Sequence, residues 1–109
     1  MKRFPSIRSN REFQNIYKTG KSYANRLLIL YAKKNTLDYN RLGISVSKKV
    51  GNSVVRHGFA RKLREIFRLN MLNRRGYDIV VIVRTGADVK DYQGLESAYL
   101  HLCKLHKLL

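Results

Sequence analysis

The chain has 109 residues, with 23 Lys and Arg against 7 Asp and Glu, which gives a formal net charge of +16. That length suits one domain with its own core, and an apolar content of 44% without low-complexity tracts excludes a disordered basic tail. No apolar run reaches the roughly 18 residues of a membrane span, the start lacks the apolar stretch of a secretory signal, and Cys103 has no second cysteine to pair with; together these predict a cytoplasmic protein in a reducing compartment.

Ser9-Asn10-Arg11-Glu12 has the spacing of a capping box, Phe13, Ile16 and Tyr17 recur at helical spacing, and Gly20 offers a stop, which predicts a helix over 10–18. Residues 23–33 are aliphatic and aromatic with no breaker, the pattern of one long strand. Its alternating sets are Tyr23, Asn25, Leu27, Ile29 and Tyr31 on one face and Ala24, Arg26, Leu28, Leu30 and Ala32 on the other. A turn over 35–40 leads to a second strand, in which Leu42, Ile44 and Val46 alternate with Gly43, Ser45 and Ser47. It is expected to pair antiparallel with the first.

Asn52 or Ser53 caps a longer helix running to about Asn73. At ~100° per residue, Val55, Phe59, Leu63, Ile66 and Leu69 form an apolar stripe, and His57, Arg61, Arg64 and Arg68 lie opposite. Gly58 costs this helix about 1 kcal/mol relative to Ala, and Lys62 lies beside the stripe, where its stem packs while its amine reaches solvent. Arg74-Arg75-Gly76 ends the helix, and the β-branched run 79–83 suits a central strand covered on both faces. Beyond a break at Gly86, Asp91 caps a last helix with Leu95, Ala98, Leu102, Leu105 and Leu109 on its apolar side. The order αββαβα describes a single α+β domain over 1–109, a two-layer sandwich.

Residues 48–75 carry nine Lys and Arg against Glu65 alone, whereas residues 76–109 carry four of each sign. The binding surface therefore belongs to the first 75 residues, and the last third is scaffold. Like charges at this density repel one another unless an anionic partner neutralises them, and nucleic acid is the obvious polyanion. The carboxylates Glu12, Asp38, Glu65, Asp78, Asp88, Asp91 and Glu96 form no cluster in sequence, so a two-metal nuclease site has no support. Phosphate-binding glycine loops and paired C-x-x-C motifs are absent as well. His101 and Cys103 point ~200° apart on a helix and cannot share a metal. His57, on the arginine face, is better suited to donating to phosphate than to acting as a base.

Two surfaces stand out. Lys48, Lys49, Arg56, Arg61, Arg64 and Arg68 would release condensed counterions on neutralising phosphates, and the planar guanidinium fork suits phosphate better than an ammonium does. Asn52 fits two roles equally, an ordinary N-cap or a donor to phosphate at the helix start. The second surface lies between the first helix and the sheet, where Phe13, Tyr17, Ile29 and Tyr31 make a floor for stacking unpaired bases. Phe13 and Ile16 fit core packing as well.

The run Ser45-Val46-Ser47-Lys48-Lys49-Val50-Gly51-Asn52-Ser53-Val54-Val55-Arg56, followed by Arg61-Lys62-Leu63-Arg64-Glu65-Ile66-Phe67-Arg68, resembles the bacterial ribonuclease P protein family. That family's hallmark, S-x-K-K-x-G-N-A-V-x-R-N-R, leads into a helix of the form K-R-x-x-R-E-x-F. Residues 13–20 and 24–31 resemble its first helix and first strand, so the likeness covers nearly the whole chain. The chain departs at Arg56-His57-Gly58, where the family has Arg-Asn-Arg, and at Ala60, where it has lysine.

The resemblance implies the protein subunit of a ribonucleoprotein endonuclease that removes the 5′ leader from precursor tRNA. It implies that the RNA subunit performs the hydrolysis with magnesium bound mainly to that RNA, while the protein assists substrate and metal binding. It directs Lys48, Lys49, Asn52, Arg56, Arg61, Arg64 and Arg68 toward the RNA subunit. Phe13, Tyr17, Asn25, Arg26, Ile29 and Tyr31 it directs toward the single-stranded leader, flanked by Lys18, Lys33, Ser45 and Ser47. It also implies a left-handed β-α-β crossover, against the usual hand. The alternative is a ribosomal or other structural RNA-binding protein of similar fold with no part in tRNA cleavage.

Overall fold

Glu12 links the first helix to the sheet. In the computed structural model, which describes residues 5–85 and 91–109, helix α1 spans Asn10–Thr19 with Ser9 at its N-cap. The expected break at Gly86 lies outside the described residues. The expected capping box does not form: the Ser9 side chain makes no cap bond, and Glu12 turns instead to Arg41, whose Nη2 donates to Oε2 at 2.6 Å. Gly20 caps the helix, its amide donating to the Ile16 carbonyl at 2.7 Å, and a Cβ there would stand 2.6 Å from that oxygen.

The expected long strand is a hairpin, β1 (Lys21–Ala24) and β2 (Leu28–Lys34). Asn25 makes the turn, its Oδ1 accepting from the Leu27 and Leu28 amides at 3.1 and 2.9 Å. A side chain that mimics a backbone turn leaves no Gly or Pro for the sequence to announce. The fold-back places Tyr23 opposite Leu30, on the aliphatic face, while Tyr31 points to the other face.

Strand β3 (Arg41–Val46) is not paired with β2, contrary to expectation. Strand β4 (Tyr77–Val83) lies between them, antiparallel to β2 and parallel to β3, in the order β1-β2-β4-β3. The β-branched run of β4 buries side chains on both faces, and only a central position supplies two covers. Helix α2 (Ser53–Leu69) is the crossover from β3 to β4, and α3 (Tyr92–Leu105) follows, capped by Asp91 accepting from the Gly94 amide at 2.7 Å. Helix α2 stops four residues short of Asn73, because Asn70 folds both its amide N–H and its Nδ2 onto the Ile66 carbonyl and Leu72 turns into the core.

Helices α2 and α3 cover one face, joining Phe59, Leu63, Ile66, Leu95, Tyr99 and Leu102 to Leu28, Leu30, Ile79 and Val81. The expected stripes hold in their middles and fail at their ends. Val55 and Leu69 are 42% and 57% exposed, since a 17-residue helix of about 25 Å outruns strands of about 20 Å. On α3 the buried set is Leu95, Tyr99, Leu102 and Cys103, with Leu108 folding back, while Leu105 and Leu109 are exposed.

Among the described residues the opposite face is covered by α1 and the N-terminal segment, whose Ile16 and Ile7 pack with Val80. Arg41 ties that helix to the sheet. Its Nε and Nη2 donate to both oxygens of Asp78, at 2.9 and 2.7 Å, and Nη2 also reaches Glu12. Burial works to raise the Asp78 carboxyl, but hydrogen bonds from Arg41 and Asn35 outweigh it and hold the group below its ordinary range. Among the described residues no helix is long and apolar enough to cross a membrane.

Candidate nucleic-acid interface

The basic surface is built on α2 and the turn before it. Lys48 and Lys49 are exposed in that turn, and Arg61 and Arg64 are exposed on the helix with no carboxylate within salt-bridge distance among the described residues. Asn52 is the N-cap, its side chain accepting from the Val55 amide at 3.0 Å, which decides one of its two expected roles. Its Nδ2 keeps no protein partner in the described hydrogen bonds, so a phosphate at the helix start would find a donor there.

Two of the expected cations differ from Arg61 and Arg64, one by being paired and one by being partly buried. Arg68 is gripped by Glu65 one turn back, at 2.7 and 3.3 Å, and that hydrogen bond holds the Glu65 carboxyl below its ordinary range. Arg56 is half-buried, with Nε shut off from solvent and lacking a partner. The exposed arginine face is thus centred on Arg61 and Arg64.

On the other side of the sheet, α1 crosses over Val80 and leaves the far end of β2 and β4 open. Tyr17 meets Tyr31 edge to face with ring centroids 5.1 Å apart, and Phe13 lies 6.2 Å from Tyr17. Burial pushes the Tyr17 phenol above its ordinary value despite a hydrogen bond with Ser45. Gly43 makes room for Phe13, since a Cβ on it would stand 2.9 Å from the ring. Phe13 is therefore wedged between helix and sheet, a packing role that still leaves it partly exposed. The strand register sets Ile29 beside Ile82, and Ile82 beside Ser45. The half-exposed floor is Tyr17, Tyr31, Ile29 and Ile82, with Ser45 at its edge.

Ile82 was hidden from sequence reasoning by its uniformly apolar strand, in which alternation does not reveal the half-open position. Asn25 belongs elsewhere: its side chain makes the β1–β2 turn and donates to the Ala98 carbonyl on α3 at 2.9 Å, on the opposite face from the cleft. Arg26 is exposed in the same turn, beside the Ile29 end of β2. Lys33 sits in register with Asp78, about 13 Å along β2 from Ile29 and on the Arg41 side of α1. Lys18 is exposed in the last turn of α1, and Ser47 is exposed just after β3.

The histidines and the cysteine of α3 and its end have structural partners. His106 Nε2 donates to the Leu30 carbonyl at 2.8 Å, and burial, with Lys21 nearby, holds its pKa below the ordinary value. His101 contacts Asn25, and burial pushes the Cys103 thiol up to about 12, which removes its nucleophilic form at neutral pH.

Residues 1–107 match the family described as Ribonuclease P. The ribonuclease P protein component of Lachnoclostridium phytofermentans is 52% identical over 105 residues, covering 95% of this chain and 90% of its own length. Among solved structures, the chain is similar to the RNase P protein of Staphylococcus aureus, with a TM-score of 0.87, 38% identity, and coverage of 97% of this chain and 98% of that one. It is also similar to the RNase P protein of Thermotoga maritima, with a TM-score of 0.81, 37% identity, and coverage of 92% and 96%.

Proposed function

Because the chain belongs to the ribonuclease P protein family, and so functions as the protein component of that ribonucleoprotein, we propose that its two surfaces divide the work between two RNAs. The α2 face and the Lys48-Lys49 turn bind the RNA subunit, and the cleft between α1 and the sheet holds the single-stranded 5′ leader of precursor tRNA. The observation that carries this reading is the pair Arg61 and Arg64, exposed and unneutralised on one face, set against the aromatic floor of Tyr17 and Tyr31 on the other side of the sheet. Each arginine that meets a phosphate releases counterions, while unpaired bases stack on the tyrosine rings.

The chain's own donors do not suit magnesium, which prefers several free oxygen ligands in octahedral array. Among the described residues, the carboxylates of Glu12, Glu65, Asp78, Asp91 and Glu96 are each engaged by a protein donor, and no three His, Cys, Asp or Glu side chains, Asp38 included, come together to hold an ion. The reading therefore assigns magnesium, and the phosphodiester hydrolysis it supports, to the RNA subunit. This chain contributes charge neutralisation and substrate positioning. The test is reconstitution with a bacterial ribonuclease P RNA at low magnesium, scoring 5′ maturation of precursor tRNA. The chain restores cleavage, and the double variant Arg61→Ala, Arg64→Ala restores it only at much higher protein concentration and with a flatter salt dependence. Leader release by the chain without any RNA subunit, or a double variant that behaves as the parent, would overturn the reading.

A further inference from the structure

A basic side chain outside α2 shares its groove. Residues 5–8 run alongside β3, with the Ile7 amide donating to the Leu42 carbonyl at 3.0 Å and the Leu42 amide donating to the Pro5 carbonyl at 2.9 Å. This short parallel bridge buries Ile7 and leaves the next residue, Arg8, exposed. Arg8 and Arg64 line one open groove of about 280 Å³, whose floor includes Leu42, Ile44 and Ala60. A second groove of about 510 Å³ follows α2 past His57, Gly58 and Arg61, and it shares Ala60 and Arg64 with the first.

The two grooves meet at Ala60, one of the positions where the sequence parts from the family motif. A long side chain at Ala60 would stand in that junction. At Gly58 an added Cβ would meet nothing within 4 Å, so packing inside the protein does not account for the glycine. Among the described residues no carboxylate lines either groove, and three arginines do. A trough with guanidinium groups on its walls and small residues on its floor fits a phosphate backbone, for which the arginine fork is well shaped.

We propose that the RNA-subunit surface leaves α2 at Ala60 and continues onto the N-terminal segment, where Arg8 and Arg64 hold the same stretch of RNA backbone. The proposal rests on the reading of α2 as the face that meets the RNA subunit. Its test is equilibrium binding of the full chain to a bacterial ribonuclease P RNA, without substrate, across a salt titration. The variants are Arg8→Ala, the groove-filling Ala60→Leu, and Arg61→Ala as a reference on the helix itself.

Arg8→Ala weakens binding several-fold and lowers the slope of log K against log salt by about 0.9, the loss of one phosphate contact. Ala60→Leu weakens binding without changing the chain's charge, and circular dichroism of both variants matches the parent. Parental affinity for both Arg8→Ala and Ala60→Leu, together with a loss for Arg61→Ala, would overturn the extension and leave the α2 reading standing. Parental affinity for all three would overturn both.

Discussion

Replacing Arg41 with Met tests what the fork between β3 and the Asp78 carboxylate of β4 contributes to the fold. The Arg41 side chain is 21% exposed and that of Asp78 only 11%, so the variant leaves a nearly buried carboxylate without its cation. Removing one partner of a buried pair costs about 3–5 kcal/mol. The Glu12 arm adds little, because that side chain is 40% exposed and a pair so close to solvent is worth about 0–1 kcal/mol. Asn35 still donates to Asp78 at 2.8 Å and softens the loss, so about 2–4 kcal/mol is expected. For a domain near 100 residues this lowers the melting temperature by about 8–16 °C.

The pH dependence gives the argument its sign. In the parent, the Asp78 carboxyl lies below its ordinary range, so its contribution is whole above the unfolded value of about 3.9 and is lost as pH falls through the lower folded value. In Arg41→Met, burial acts without the fork and raises the carboxyl, so folding takes up a proton and the deficit narrows toward acid pH. Thermal unfolding by circular dichroism between pH 7 and pH 3 measures both effects. A variant melting within about 2 °C of the parent at pH 7, or a deficit that stays constant with pH, would refute the reasoning.

Tyr31→Ala removes one wall of the cleft and is expected to weaken binding of leader-bearing precursor tRNA to the reconstituted particle by about 1–3 kcal/mol, the worth of one stacked base. Affinity for mature tRNA stays at the parental value; equal losses for both substrates would exclude the cleft from leader binding. Gly58→Ala meets no neighbour within 4 Å and should stabilise α2 by about 1 kcal/mol, read as a rise of roughly 4 °C in melting temperature. A lower melting temperature would show that the glycine has a role in packing.

Much of this architecture was legible because periodicity and end signals agreed. The Phe59, Leu63 and Ile66 stripe, the Asn52 and Asp91 caps and the doubly covered β4 all follow from local chemistry. The failures share a cause, which is a side chain used over a distance. Glu12 has capping-box spacing yet answers to Arg41, 29 positions away, and Asn25 has strand spacing yet forms a turn and reaches α3. Adjacency in sequence favours pairing β2 with β3, and the burial of β4 on both faces forces them apart.

For the site, residue type located the arginine face, but composition does not distinguish Arg61, open to solvent, from Arg68, held by Glu65. The cleft was legible as far as its aromatics, and Ile82 and Arg8 were not, since each depends on what a neighbouring segment leaves uncovered. The motif shared with the ribonuclease P family separates that family from a ribosomal protein, which charge alone does not do.

The strand synthesised last fills the middle of the sheet. Until residues 77–83 leave the ribosome, β2 and β3 each expose an unpaired inner edge, and α2 has no complete floor on which to pack. Such long-range closure slows folding and exposes a nascent chain to aggregation. A translation product that stops before residue 77 thus carries every arginine of the helix with no completed sheet to present them.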